Sequence, residues 1–120
     1  MSSLYHRVLE PTVITTGYKT PKEDVLDAGA FTRGELQFRR LKDGTSAATY
    51  LRVQHAAVNE DDAFIDAKDP SGADLQVVLD NSAAGNKHMW CENFLRFILL
   101  VAVGTVTGSP VVLADSVWKE

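Results

Sequence analysis

Phe94-Leu-Arg-Phe-Ile-Leu-Leu-Val-Ala-Val103, then Gly104 to Pro110, then Val111 to Trp118, is the stretch whose reading decides the fold class. In an extended chain Leu95, Phe97, Leu99, Val101 and Val103 form one apolar side of the first segment. Phe94, Ile98, Leu100 and Ala102 occupy most of the other. A run apolar on both sides suits a central strand or a buried helix, and periodicity alone does not separate them. Its β-branched and aromatic content and the glycine-rich loop behind it favour the strand. Val111 to Trp118 is again strongly β in composition, and Gly104 to Pro110 reads as a hairpin loop joining the two. With about ten residues, Arg96 among them, the run is half the roughly twenty that a membrane helix needs.

Outward from there, Gly, Pro, Asn, Asp and Ser clusters recur at short intervals, at Gly17, Pro21, Gly29, Gly34, Asp43-Gly44, Asp69 to Gly72 and Asn81 to Asn86. Segments this short suit strands. Leu4 to Leu9 and Thr12 to Tyr18 read as two extended pieces. In Gly34 to Leu41, Leu36 and Phe38 point one way. In Ala47 to Ala57, Leu51, Val53 and His55 alternate against Tyr50, Arg52 and Gln54, and Leu75, Val77 and Leu79 repeat the pattern. Asp43-Gly44 is a dipeptide favoured where both central turn residues take positive φ, so 34–41 and 47–57 are expected to form a hairpin. One short helix fits, Pro21 to Ala28, with Thr20 as cap and Glu23 three residues on. The expected fold is all-β, an antiparallel β-sandwich of jelly-roll type with at most one short helix, in a single domain over 1–120.

Composition bounds the rest. A chain of 120 residues with 45% apolar content suffices for one core. Twelve Lys and Arg against 16 Asp and Glu give a formal charge of −4, which argues against a nucleic-acid surface. A single cysteine, Cys91, excludes an internal disulfide framework and a multi-cysteine zinc site. The start, Met-Ser-Ser-Leu-Tyr-His-Arg, lacks the apolar run and cleavage site of a secretory signal, so a cytoplasmic place of assembly is expected.

No catalytic set emerges. A nucleophile needs an oriented base, and His6, His55 and His88 are the only histidines, with no G-x-S-x-G elbow. Cys91 lies three residues from His88, but the flanking Met89 and Trp90 point to a buried or interfacial thiol. Asn59 to Asp62 and Asp69 to Asp74 offer oxygen ligands without the ordered spacing of a calcium loop. They read as turn formers. His55, in phase with Leu51 and Val53, reads as a hydrogen-bonded, partly buried residue. No catalytic, cofactor or metal residue is therefore assigned, and no cofactor. Aromatic platforms for a sugar, if there are any, come from Tyr5, Tyr18, Tyr50, Trp90 and Trp118. Trp90 stays open among core or subunit interface, loop packing and exposed binding.

Taken in order, Gly34-Glu-Leu-Gln-Phe-Arg39, Ala48-Thr-Tyr-Leu-Arg-Val-Gln-His55, Asp62-Ala-Phe-Ile-Asp66, Asn93-Phe-Leu-Arg-Phe97 and Gly104 to Ser109 before Val111-Val-Leu113 form a layout. It resembles small β-sandwich accessory proteins of tailed-phage and prophage particles, over roughly residues 29 to 119. The resemblance implies a head-decoration, head-fibre or related component, assembled in the host cytoplasm, without catalytic residues. It also implies a homo-oligomer bound to other virion proteins. The doubly apolar strand Phe94 to Val103 agrees, since its second face needs cover, from a neighbouring subunit or from the chain itself. Trp90, Trp118, Phe94, Ile98 and Leu100 are the candidate interface or ligand contacts. The alternative is a carbohydrate- or ligand-binding module, for which Trp90 or a tyrosine lies exposed on a concave face.

Overall fold

Along Arg33–Lys42 alternate side chains leave the solvent: Gly34, Leu36 and Phe38 are buried, while Glu35, Gln37 and Arg39 are not. That period of two is what a strand with one wet face requires. The computed structural model describes residues 3–119 and arranges them in nine strands. These are β1 (Ser3–Val13), β2 (Leu26–Asp27), β3 (Arg33–Lys42), β4 (Tyr50–Ala56), β5 (Ile65–Asp66), β6 (Gln76–Val78), β7 (Asn86–Cys91), β8 (Phe97–Val103) and β9 (Val111–Lys119). Sheet A runs β1-β9-β3-β7, and sheet B runs β2-β8-β4 with β5 and β6 both paired to β4. Every pairing is antiparallel. The chain crosses from sheet to sheet along β1, β2, β3 and β4, and again along β7, β8 and β9. That order is a jelly-roll sandwich.

Between the sheets lies one core, with Leu36, Phe38 and Trp118 from sheet A against Leu51, Val53, Ile98 and Leu100 from sheet B. All seven are fully buried, and each such side chain contributes about 1.5–3 kcal/mol. Trp118 meets Phe94 edge-on at 4.9 Å between ring centroids, and its Nε1 donates to Ser116 Oγ at 2.8 Å. Arg96 lies outside, forked onto Asp27 at 2.8 Å on both arms and set over the Phe97 ring at 5.1 Å. It ties β2 to β8 and holds the Asp27 carboxyl down at about 2, with a backbone N–H bond from Gly29 adding to the effect.

Several expectations need correction. Leu4 to Leu9 and Thr12 to Tyr18 are one strand up to Val13, running through Pro11, and 14–18 turns away at Thr16-Gly17. Pro11 is tolerated because β1 is an edge strand. The hairpin expected from Asp43-Gly44 does not form, because β3 and β4 belong to opposite sheets. Neither residue takes a positive φ. Instead Gly44 crosses close to its neighbours, its N–H donating to Leu79 O at 2.7 Å. A side chain there would meet the Leu79 and Thr107 carbonyls at 3.0 Å. Leu36 and Phe38 therefore face Leu51 and Val53 across the core rather than beside them. Gly104 to Pro110 likewise joins strands of different sheets and is no hairpin loop.

In place of a helix over Pro21 to Ala28 there is one 3-10 turn, Lys22–Asp24, without a side-chain cap. Thr20 instead accepts from Leu100 N–H at 2.9 Å. The strand reading of 94–103 holds from Phe97 onward. The middle of its second face is covered by the same chain: Leu99 is 1% exposed beside Thr20, Pro21, Val25 and Phe64. Leu95, 38% exposed, and the half-buried Phe97, Val101 and Val103 on the same face are covered less.

Candidate functional site

On the outer face of sheet A, antiparallel register lines up polar and aromatic residues from four strands. Tyr5 pairs with Val117, Val117 with Glu35, and Glu35 with Trp90, which makes one row across β1, β9, β3 and β7. The adjacent row is Arg7, Asp115, Gln37 and His88. Tyr5 is 61% exposed and Trp90 43%. Residues directly opposite in such a ladder have Cβ atoms about 5 Å apart, so each row acts as a unit.

Two carboxylates organise the floor. Asp115 Oδ1 accepts from Tyr5 OH at 2.6 Å and from Arg7 Nε at 2.7 Å, while Oδ2 faces Arg39 Nη2 at 3.4 Å. Burial is the largest single influence and raises the Asp115 carboxyl, but the bonds from Tyr5 and Arg7 together outweigh it, so the group stays below the usual range. Glu35 accepts from Lys119 Nζ at 2.6 Å and sits 3.0 Å from His88 Nε2. Lys119 first, then His88, hold it low. Both acids are therefore ionised acceptors with their charges matched.

Two shallow depressions lie on this face. One of about 500 Å³ is bounded by Tyr5, Gln37, Asp115 and Val117, and one of about 440 Å³ by Arg33, Trp90 and Glu92. They adjoin, with Glu35, His88 and Lys119 lining both. A larger cleft, about 760 Å³, opens between β1 and residues 18–27, where Leu4, His6 and Val8 face Tyr18, Val25 and Leu26. It is also lined by polar groups, Glu10, Glu23, Asp24 and Asp27 among them, but it lacks an exposed tryptophan, and the sheet A face, with Trp90 and Tyr5 in one row, is the candidate site.

Of the five contact residues expected from sequence, Trp118, Phe94, Ile98 and Leu100 are between 0% and 2% exposed inside the core. They offer nothing to a partner, a correction that follows from their facing the opposite sheet. Trp90 alone reaches the surface, as the binding alternative required. His88 and Cys91 lie on opposite faces of β7, His88 outward and Cys91 5% exposed, so they do not pair. Burial pushes the Cys91 thiol up.

The acidic turns consume their own oxygens. Asp69 Oδ1 accepts from the N–H groups of Ser71 and Ala73 and from the Ser71 hydroxyl, and Asp74 pairs with Lys68 and Arg52. Among the described residues no group of three or more His, Cys, Asp or Glu stands ready for a metal, and no helix is long and apolar enough to cross a membrane. Glu35, Gln37, Arg7 and Asp115 were not singled out from sequence. Alternation placed Gln37 away from Leu36 and Phe38, but only the register brings it beside Asp115.

Compared with protein families, curated proteins and solved structures, the chain matches none of them.

Proposed function

We propose that the chain is a non-enzymatic structural protein that self-associates and takes its place in a phage-like particle as a decoration, fibre or accessory component. One observation carries the self-association. β1 is an eleven-residue strand at the edge of sheet A. Natural edges are kept short, charged, bulged or covered, since an open row of N–H and C=O groups templates pairing with another chain. The later half of β1 has such protection, in two register shifts beyond Arg7 and in Pro11. Ser3 to Arg7 is regular in register and carries Leu4, 39% exposed. An apolar side chain beside an open edge is what a second chain would cover.

The jelly roll agrees with the particle role by analogy of fold, because viral capsid domains use it; lectin domains use it too, so the fold does not choose between them. The layout that resembles phage accessory proteins supplies the choice. Light scattering after size-exclusion chromatography, across protein concentrations, is expected to give an oligomer that Leu4→Lys dissociates without unfolding. A monomer throughout would remove the self-association. For the particle role, mass spectrometry of gradient-purified particles from a host carrying the gene is expected to find the chain at a fixed ratio to the shell protein. Its absence from the particles would remove that assignment.

A further inference from the structure

We propose that the outer face of sheet A binds a neutral oligosaccharide laid across the strands between Tyr5 and Trp90. This stands apart from the particle role. Tyr5 and Trp90 occupy the two edge strands of one four-residue row. Three inter-strand spacings separate them by about 14 Å, the reach of a short chain of linked sugar rings. Exposed aromatic rings cover the apolar faces of pyranoses, while the hydroxyls need planar donors and acceptors between the rings. The floor supplies them: Glu35 and Asp115 as ionised acceptors, Lys119 as donor, and Gln37 as both. The Tyr5 ring is held before any ligand arrives, because its hydroxyl is bonded to Asp115 at 2.6 Å, and prior ordering lowers the entropic cost of binding.

The charge pattern selects a neutral ligand. Asp115 is paired with Arg7 and Arg39, and Glu35 with Lys119. A charged ligand on this floor competes with these pairs, and only Arg33 and Glu92 at the rim stand outside them. The same pattern disfavours a protein occupant, because charged residues are depleted at the centres of protein interfaces. Here Val117 is the one apolar residue between the two aromatics in their row.

The test is calorimetric and fluorescence titration of the full chain with neutral hexasaccharides of glucose, xylose, galactose, mannose and N-acetylglucosamine, with their monosaccharides and polygalacturonate as controls. At least one hexasaccharide is expected to bind about tenfold or more tightly than its monosaccharide. Trp90→Ala and Tyr5→Ala are each expected to weaken binding by about tenfold, the loss typical of an aromatic contact of 1–2 kcal/mol. Near-ultraviolet dichroism from the buried Trp118 confirms that both variants stay folded. Three results overturn the proposal: no response to any neutral hexasaccharide, binding that survives both substitutions, or a preference for polygalacturonate. An oligomer that Trp90→Ala dissociates, with no sugar response, would assign the face to contact between copies instead.

Discussion

A methyl group at Gly34 would lie 2.6 Å from Cζ3 and 2.7 Å from Cε3 of Trp118. No side chain tolerates that distance, so Gly34→Ala forces either β3 or the indole to move. The indole is poorly placed to yield, being fully buried, set edge-on against Phe94 and bonded through Nε1 to Ser116. Overpacking a rigid core costs about 1–3 kcal/mol, and the upper figure applies where the neighbour is pinned. A loss near 3 kcal/mol lowers the melting temperature of a domain this size by roughly 10 °C. Trp118→Phe alone should cost about 2 kcal/mol through lost contact and residual cavity. It also frees space beside position 34. The two changes should therefore be non-additive, the double variant recovering about 1–2 kcal/mol of the summed losses. Urea unfolding followed by circular dichroism measures all three. A Gly34→Ala cost below about 0.5 kcal/mol, or strict additivity, would refute the packing of Trp118 against β3.

Two further outcomes follow from buried titratable groups. His55 is 8% exposed and its Nδ1 accepts from Leu95 N–H at 3.2 Å, so the fold needs the neutral ring, and burial lowers its pKa. Its contribution is complete above the unfolded value of about 6.5 and is lost as pH falls from there through the folded value. Melting temperature is therefore expected to drop between pH 7.5 and 5, and the drop should shrink in His55→Gln; an unchanged slope would sink this. The Cys91 thiol, buried and raised, is expected to react with Ellman's reagent only at the rate of unfolding. Rapid labelling under native conditions would contradict its placement.

What the sequence revealed was periodicity, and what it concealed was pairing. Leu36 and Phe38, like Leu51 and Val53, could be placed on buried faces because alternation is a property of one strand. Whether those faces lie side by side or opposite is decided by where the chain goes between them. Asp43-Gly44 looks the same in a hairpin and in a crossing between sheets. The doubly apolar β8 was legible as a strand, but the cover for Leu99 comes from residues around Thr20 and Phe64, distant in sequence and unremarkable in composition. The candidate face was half legible. Tyr5 and Trp90 stood out as aromatics, whereas Glu35 and Asp115 were two acids among 16 until the register set them between the rings.

β9 lies between β1 and β3, pairing Lys119 with Ser3 on one side and with Arg33 on the other. Sheet A has no continuous ladder until that strand arrives, and its first and last partners are separated by almost the whole chain. Such remote pairing gives a high contact order and slow folding, in the range of milliseconds to seconds for all-β sandwiches. On the ribosome, β1 must wait with Leu4 and Tyr5 uncovered while more than a hundred residues are made. Synthesis time is thus an interval of exposure for the same edge through which the folded protein would meet its partners. Slowing translation should raise the fraction lost to aggregation before the sheet can close.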